Sequence, residues 1–418
     1  MSEESIIKSV RSRLFIMMVL EFFIWGAWLP LVWPYMGGLG FSGKEQALIG
    51  SCFAIASIIA IFFSNELADR KFSSERFMAF SHLVGGLSIL GLFFVKDFWP
   101  FFGLMLVHSL FYVPTISVSN SLAFANLRNP KNEFGIIRMG GTIGWILASW
   151  PLYFLLKGQE GEALQNARAY IFIVAAVASF VLAVYSLTLP HTPPKPASKG
   201  ADKFAWMTAV KFLAMPFLAV LFVVTLIDST IHNGYFVLAG EFLEKAGIKP
   251  ENIMLVMSIG QVAEILTMIG LGYVLKRLGW KVTMIVGVLG HAARFAVFAF
   301  FPDSAPVLIG VQVLHGICYA FFFATLYIFI DEAFPKNVRA SAQGLFNLLI
   351  LGIGDLLAKW IFLPLKGNLT VEGVVDYQKL FLVPTFMALV AAVLLAVFFR
   401  PKIAEPHEDL PSEFPAEP

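Results

Sequence analysis

Charged and polar side chains interrupt several of the most apolar stretches of this 418-residue chain, where they are costly unless they have a role. In Gly135–Ser149 (GIIRMGGTIGWILAS), Arg138, Thr142 and Trp145 follow one another at helical spacing and would share one face. That face would present a planar cation, a hydroxyl and a large aromatic ring to a bundle interior or a cavity. Alternatively, Arg138 lies one turn inside a membrane surface and extends to the lipid headgroups.

A second polar face occurs in SIGQVAEILTM, where Ser258, Gln261 and Glu264 recur every three residues. Glu264 lies near the middle of its apolar run, too deep to reach the headgroups easily, so we predict that it serves a binding site. A carboxylate in such a place can accept hydrogen bonds from two neighbouring sugar hydroxyls, or it can carry a proton.

The run from Pro216 to Phe236 is also rich in polar groups. Asp228 and His232 are four residues apart and could simply pair with each other. Asn233 could donate to and accept from a sugar hydroxyl or a base edge.

Glu21, in the first apolar run, faces the same choice between interior and headgroups as Arg138. Trp25, one turn later, could line a cavity, where aromatic planes suit a flat heterocycle, or it could belong to an interfacial belt. Tyr319, close to Phe321–Phe323, could stack on a base, although packing is the simpler explanation for the abundant Phe of this chain.

Membrane-spanning helices must position these residues. Hydrophobic residues make up 58% of the chain and charged residues only 14%, whereas a soluble domain is about one quarter charged. Apolar runs of about 20 residues, long enough to cross a bilayer, recur along the whole chain. We therefore predict an all-α polytopic membrane protein with twelve spans. These are Leu14–Tyr35, Ala47–Asn65, Phe77–Val95, Phe101–Leu122, Phe134–Leu156, Tyr170–Leu189, Pro216–Phe236, Asn252–Leu275, Val282–Phe300, Ala305–Ile330, Ser341–Leu363 and Leu380–Phe399.

The Lys and Arg residues predict the orientation of these spans. Nineteen of the thirty lie in segments on the amino-terminal side, eight on the opposite side and three within spans. Because cytoplasmic loops carry the excess of positive charge, both termini are expected in the cytoplasm. The net charge of +2 gives no reason to expect a nucleic acid partner, and the lipid bilayer is the expected surrounding.

The chain divides into two similar parts. His191–Lys203 (HTPPKPASKGADK) is a Pro- and Lys-rich stretch that predicts a cytoplasmic linker. Short basic loops, Glu66–Met78 and Gly272–Met284, occupy the same place in each part. We predict a six-helix bundle in residues 1–190, a linker in 191–212, a second six-helix bundle in 213–400 and a cytoplasmic tail in 401–418, in a monomer.

No phosphate-binding loop, HExxH or GxSxG motif occurs, so we expect no enzymatic activity, no metal and no cofactor. A nucleophile–base set for an intramembrane hydrolase and an effector-binding tail for a receptor are not apparent either. Two bundles around a midplane cavity would instead suit a transporter.

The first basic loop resembles the signature between helices 2 and 3 of the major facilitator superfamily, with Leu67, Ala68, Asp69, Arg70 and Arg76 in place. The opening glycine of that signature is replaced by Asn65 or Glu66. The resemblance implies that Asp69, Arg70 and Arg76 close a cytoplasmic gate through charge pairs. A plain charged turn is the alternative.

Further motifs, in order along the chain, resemble the bacterial nucleoside:proton symporters of that superfamily. They are WGAW (Trp25–Trp28), RMGGTIGW (Arg138–Trp145), LPHTP (Leu189–Pro193), SIGQVAE (Ser258–Glu264) and RASAQG (Arg339–Gly344). The resemblance implies a major facilitator fold and import of purine or pyrimidine nucleosides across the bacterial inner membrane by alternating access. Its site positions fall on Arg138, Thr142, Trp145, Gln261, Glu264 and Tyr319, and, depending on register, on His232, Asn233 or Phe236.

One position departs from the family. The acid that follows the helix 10 aromatic is replaced by Ala320, so proton coupling would rest on Glu264, Asp228 or Glu21, or would not exist. An uncoupled nucleoside facilitator is therefore one alternative. An oligosaccharide:proton symporter is another, because RMGGTIGW also resembles galactoside permeases, although the helix 4 acid that pairs with their arginine is missing here.

Overall fold

The structure, a computed structural model, describes residues 3–60, 72–194, 215–334 and 339–401, and these are almost entirely helical. The first helices are α1 (Glu3–Gly38), α2 (Gly43–Ile59), α3 (Ser74–Leu92), α4 (Phe98–Asn126), α5 (Pro130–Leu156), α6 (Gly161–Arg168) and α7 (Tyr170–Ser186). The later ones are α8 (Pro216–Lys245), α9 (Ile253–Phe300), α10 (Ala305–Gly310), α11 (Val313–Cys318), α12 (Thr325–Ala333), α13 (Arg339–Asn347), α14 (Gly354–Asn368) and α15 (Tyr377–Phe398).

Five short elements complete the described part of the chain. A 3₁₀ helix at Pro250–Asn252 precedes α9, and π-helical segments at Tyr319–Ala324 and Leu348–Ile353 interrupt the tenth and eleventh predicted spans. The strands β1 (Thr370–Val371) and β2 (Val374–Val375) form an antiparallel hairpin that was not predicted.

The described residues contain nine helices long and apolar enough to cross a membrane. Large apolar side chains such as Ile269, Val184 and Phe386 are 77%, 69% and 68% exposed, as expected of helices that face lipid rather than water. The second and third predicted spans are not among the nine, and the second runs into residues that the structure does not describe. The coarse prediction of an all-helical membrane protein is confirmed, while the number twelve stays a prediction.

The eighth and ninth predicted spans are the two helical parts of α9, which meet at a kink at Gly279, and the predicted loop Gly272–Met284 is helical on either side of that residue. The backbone departs from helical geometry only at Gly279, with φ 68° and ψ 176°. Glycine tolerates this conformation because it lacks a Cβ. A single residue thus replaces the predicted loop.

Helices pack in two groups. In the first, α1 packs on α5 and α7, and α3 packs on α4 and α7; in the second, α9 packs on α15, and α8 on α14 and α15. The groups meet where α1 contacts α8, α2 contacts α14 and α5 contacts α9. Gly140 and Gly144 permit the α1–α5 contact, because a Cβ there would collide with the backbone of Phe15 and Val19 respectively.

Helix α2 begins with a capping box. Ser42 Oγ accepts a hydrogen bond from the backbone N–H of Glu45 (3.3 Å), and the Ser42 N–H donates to Glu45 Oε2 (2.8 Å). The hydrogen bonds from Ser42 hold the pKa of the Glu45 carboxyl below its usual value. This cap fixes where the chain re-enters the bundle beside the cavity described next.

Candidate functional site

A cavity lies where the two groups of helices meet, lined by residues of α1, α2, α4, α8 and α14. Its wall is mainly aromatic, and three predicted site residues, Trp25, Asn233 and Phe236, line it. Trp25 stacks on Phe53, with ring centroids 4.7 Å apart. Its buried indole N–H has no partner among the described residues, so it can donate to a ligand.

The cavity also contains an ion pair between Asp355 and Lys359 of α14. Their spacing of four residues along the helix is the sequence feature that brings the two side chains together. Their position in the cavity wall was not predicted. A charged pair in an apolar span is the signal that could have suggested it.

Trp145 connects this cavity to the polar face of α5. Its ring meets the edge of Trp25 at 5.5 Å and the ring of Phe236 at 5.6 Å. Gly26 makes room for it, since a Cβ there would lie 3.1 Å from Trp145. Three predicted residues from three helices are therefore brought into direct contact.

Arg138, Thr142 and Glu264 come together where α5 meets α9. The hydroxyl of Thr142 lies 3.5 Å from Glu264 Oε1 and donates to it. The Arg138 guanidinium lies over the Phe22 ring, 4.0 Å from its centroid, and interacts electrostatically with Glu264 and Tyr319. Arg138 therefore faces the bundle interior, and the alternative of an extension to the headgroups is wrong.

Gln261 and Tyr319 lie on the far side of Glu264. Gln261 Nε2 is 3.4 Å from His315 Nε2, and α11 approaches α9 so closely that a Cβ at Gly316 would collide with the Glu264 backbone. Tyr319 is the first residue of a π-helical segment, a feature that is frequent at functional sites. The predicted residues of α5, α8, α9 and this segment thus form one continuous region.

The prediction that Asp228 and His232 pair with each other is wrong. Asp228 Oδ1 instead accepts from Nδ1 of His291 at 2.8 Å, and both side chains are fully buried. His232 stacks on His315, with centroids 5.0 Å apart. The partner of Asp228 is distant in sequence, which is why helical spacing could not identify it.

Arg294 completes this group. It is fully buried, donates through Nη1 to His315 Nδ1 at 2.7 Å, and lies 4.0 Å from the centroid of the Tyr235 ring. The sequence analysis assigned no role to Arg294, His315 or His291. Polar or charged residues within two apolar runs, Val282–Phe300 and Ala305–Ile330, were the available signal.

Glu21 has a different environment. Its Oε2 bonds His82 Nε2 at 2.9 Å, and its Oε1 accepts from the Thr115 hydroxyl at 2.7 Å. The Tyr112 hydroxyl donates to its backbone oxygen. Glu21 is therefore an interior residue with both carboxylate oxygens satisfied.

Two of the predicted gating residues, Asp69 and Arg70, lie outside the described residues. Arg76 is exposed in the first turn of α3. A separate contact between the groups of helices is described: Arg168 of α6 pairs with Glu244 of α8. Nearby, Gly240 packs closely on the Pro30 carbonyl.

The fold resembles solved transporters. The nucleoside transporter NupG superposes with a TM-score of 0.81 at 24% identity, over 94% of this chain and 100% of that one. A D-xylose–proton symporter gives 0.71 at 14% identity, over 96% and 100%. The fold is that of a membrane transporter of the major facilitator type, and the protein is not an enzyme.

Sequence comparison gives the family. The family model described as nucleoside H⁺ symporter matches residues 8–404. The putative nucleoside transporter YegT of Escherichia coli K12 is 32% identical over 412 residues, 93% of each chain. The xanthosine permease of the same organism is 29% identical, over 94% of this chain and 96% of its own. The chain belongs to the nucleoside H⁺ symporter family.

Proposed function

We propose that this protein imports nucleosides across the bacterial inner membrane together with protons, by alternating access of two six-helix halves. The observation that carries the proposal is the hydrogen bond from Thr142 on α5 to Glu264 on α9, with Arg138 close enough to interact electrostatically with Glu264 and the aromatic residue Trp145 on the same helix. This arrangement places hydrogen-bonding groups for a sugar next to a flat aromatic surface for a base. The groups come from helices of both halves.

The aromatic residues hold the base in this account. Trp145 lies between Trp25 and Phe236, and Tyr319 lies close to Glu264. Stacking on such side chains is tolerant of base identity, so both purine and pyrimidine nucleosides are expected substrates.

The polar groups hold the ribose. Glu264 accepts from ribose hydroxyls, and Arg138, Thr142, Gln261 and Asn233 surround it with further donors and acceptors. His232 lies beside Phe236 and supports that wall, with centroids 5.5 Å apart.

Two six-helix halves, 1–190 and 213–400, joined by the linker 191–212 and followed by the tail 401–418, fit the packing in two groups. The same interval of chain separates Glu21 from Asp228, Trp25 from His232, His108 from His315 and Tyr112 from Tyr319. Such a repeat supports a common plan of twelve spans. Gly279 then marks the turn between the eighth and ninth.

With both termini in the cytoplasm and the protein a monomer in the bilayer, the contacts Arg168–Glu244 and Gly240–Pro30 lie at the periplasmic end. The cavity then opens toward the cytoplasm when this end is closed. Asp69, Arg70 and Arg76 are proposed to close the opposite end.

Glu264, Asp228 and Glu21 are the candidates for proton coupling, since Ala320 stands where the family has an acid. Glu264 belongs to the predicted sugar site and interacts electrostatically with Arg138 of the other half. Its protonation would therefore change the balance of charge between the halves. The same Ala320 favours the second candidate function, an uncoupled nucleoside facilitator.

Uptake of radiolabelled uridine by purified protein in liposomes tests the proposal. We expect an inward proton gradient to accelerate uptake and to concentrate uridine inside, relative to liposomes without a gradient. Uptake that only equilibrates would establish the facilitator. Transport of lactose in place of uridine would overturn the proposal that the substrate is a nucleoside.

A further inference from the structure

A buried cluster in the second group of helices has polar atoms that the proposed substrate site does not use. Asp228 and His291 form its centre, and both are fully buried. Within the described part of the chain, Asp228 Oδ2, His291 Nε2 and His232 Nδ1 are buried atoms with no hydrogen-bond partner. Because buried polar atoms are normally satisfied, three such atoms so close together require an explanation.

The hydrogen bonds assign protonation states in this cluster. Arg294 always donates, so His315 Nδ1 must accept, and His315 is the neutral tautomer with its proton on Nε2. That proton requires an acceptor, which the unpartnered Gln261 Oε1 supplies when the amide is turned over. His315 is thus already fully bonded as a neutral ring.

His291 is in the opposite situation. Its Nδ1–H donates to Asp228, and among the described residues only the thiol of Cys318, a weak donor, approaches the ring besides, so the lone pair of Nε2 can accept a proton. The resulting imidazolium would remain paired with the Asp228 carboxylate. Histidine also has the side chain whose ordinary pKa lies closest to physiological pH.

Groups from every neighbouring helix surround this pair. The titratable and charged ones are His232 and Tyr235 on α8, Arg294 on α9, His315 and Cys318 on α11, and Tyr319 in the π-helical segment, which packs on His232. Arg294 balances the charge of Asp228 when His291 is neutral.

His232 connects the pair to the substrate site. Its ring centroid is 5.7 Å from that of His291 and 5.5 Å from that of Phe236, which in turn contacts Trp145. A positive charge that appears on His291 is therefore one ring away from the aromatic wall.

We propose that the Asp228–His291 pair, with His232 beside it, is the proton-binding site of this transporter. His291 Nε2 takes a proton from the outer aqueous side, forming one N–H bond, and later returns the same proton to the cytoplasm, while Asp228 stays a carboxylate. This proposal rests on the proposed nucleoside:proton symport. It assigns the proton to a site adjacent to the nucleoside and leaves Glu264 to bind the sugar.

The test uses His291→Gln, because the glutamine amide can still donate to Asp228 but cannot bind a proton at neutral pH. Purified variants in liposomes are assayed for uridine counterflow, which needs no net proton movement, and for uridine accumulation driven by a proton gradient. His82→Gln is the matched control, since it changes the histidine of the corresponding pair in the first half.

We expect His291→Gln to retain counterflow and to lose accumulation, whereas the wild type and His82→Gln accumulate about tenfold per pH unit for one proton. Accumulation by His291→Gln equal to that of the wild type would overturn the proposal. A wild type without uridine counterflow would instead show that the proposed function has failed.

If His291→Gln shows no counterflow, a measurement on protein that keeps His291 tests the proposal instead. In protein carrying His191→Gln and His407→Gln, labelled with ¹⁵N-histidine, the proposal requires one of the five remaining histidines to be charged at about pH 5. A spectrum in which all five stay neutral would overturn it.

Discussion

Each half of the molecule buries one carboxylate–histidine pair, Glu21–His82 in the first and Asp228–His291 in the second, on corresponding helices. In the first pair, the hydroxyl of Thr115 satisfies the second carboxylate oxygen, and Ser179 lies 3.5 Å from the free histidine nitrogen. In the second, the corresponding oxygen has no partner within the described residues, and the nitrogen has only the weakly donating thiol of Cys318 nearby. The same chemical pair is thus a closed structural unit in one half and an open one in the other.

The difference arises from the neighbours. The small hydroxyl of Thr115 reaches the Glu21 carboxylate, whereas the rings of His315 and Phe323 pack on His232, which lies beside His291. These rings pack against the second pair but do not supply the hydrogen bonds that a hydroxyl supplies to the first. A satisfied pair fixes the position of its helices, and an unsatisfied one remains available for a change of protonation.

Replacing Glu264, the acid that lies between the halves, should have the largest effect on transport. Glu264→Gln is expected to lower uridine uptake by about a hundredfold, because it weakens hydrogen bonds to a charged acceptor and leaves Arg138 without its counter-charge. Glu251→Gln, in the 3₁₀ helix before α9, is the control and should transport normally. Near-normal uptake by Glu264→Gln would remove Glu264 from the site and leave the Asp228 pair as the main functional acid.

Loss of the Trp145 ring should have a smaller effect on transport. Trp145→Ala is expected to weaken the affinity for every nucleoside by about tenfold or more, since stacking of a base contributes about 1–3 kcal/mol. Binding in detergent measures this. Trp150→Ala is the matched control on the same helix, because Trp150 is 49% exposed and faces away from the bundle. Equal affinities of the wild type and Trp145→Ala would exclude stacking on this residue.

Disruption of the closed pair, Glu21–His82, should have the smallest effect on transport and the largest effect on stability. His82→Ala leaves a buried carboxylate without its main partner, which costs about 3–5 kcal/mol of folding stability. We expect a lower melting temperature, with gradient-driven accumulation unchanged per folded molecule. A variant that keeps its melting temperature but fails to accumulate uridine would contradict the contrast between the two pairs.

Local spacing predicted some features of the site and could not predict others. The shared face of Arg138, Thr142 and Trp145 and the pairing of Asp355 with Lys359 follow from helical periodicity alone. Asp228 was assigned the wrong partner, because His291 is brought to it by the packing of α8 on α9 and not by sequence proximity. The family resemblance indicated the fold and the nucleoside substrate, which the comparisons bear out.

Element boundaries were the least predictable part of the fold. Basic residues around Gly279 indicated a loop of several residues, yet two helices meet at a kink at that single residue. The π-helical segment that begins at Tyr319 lies within an apolar run that reads as an ordinary span. Its wider turn depends on contacts with α9 that leave no periodic signal in the sequence.

The coupling of nucleoside to proton movement is tested most directly by a balance of two gradients. Liposomes are loaded with uridine against a fixed outer concentration, and the pH difference is varied until net uridine flux is zero. For one proton per nucleoside, a tenfold uridine gradient should be balanced by about one pH unit, acidic outside. Net flux that follows the uridine gradient at every pH difference would contradict symport and identify the protein as a facilitator.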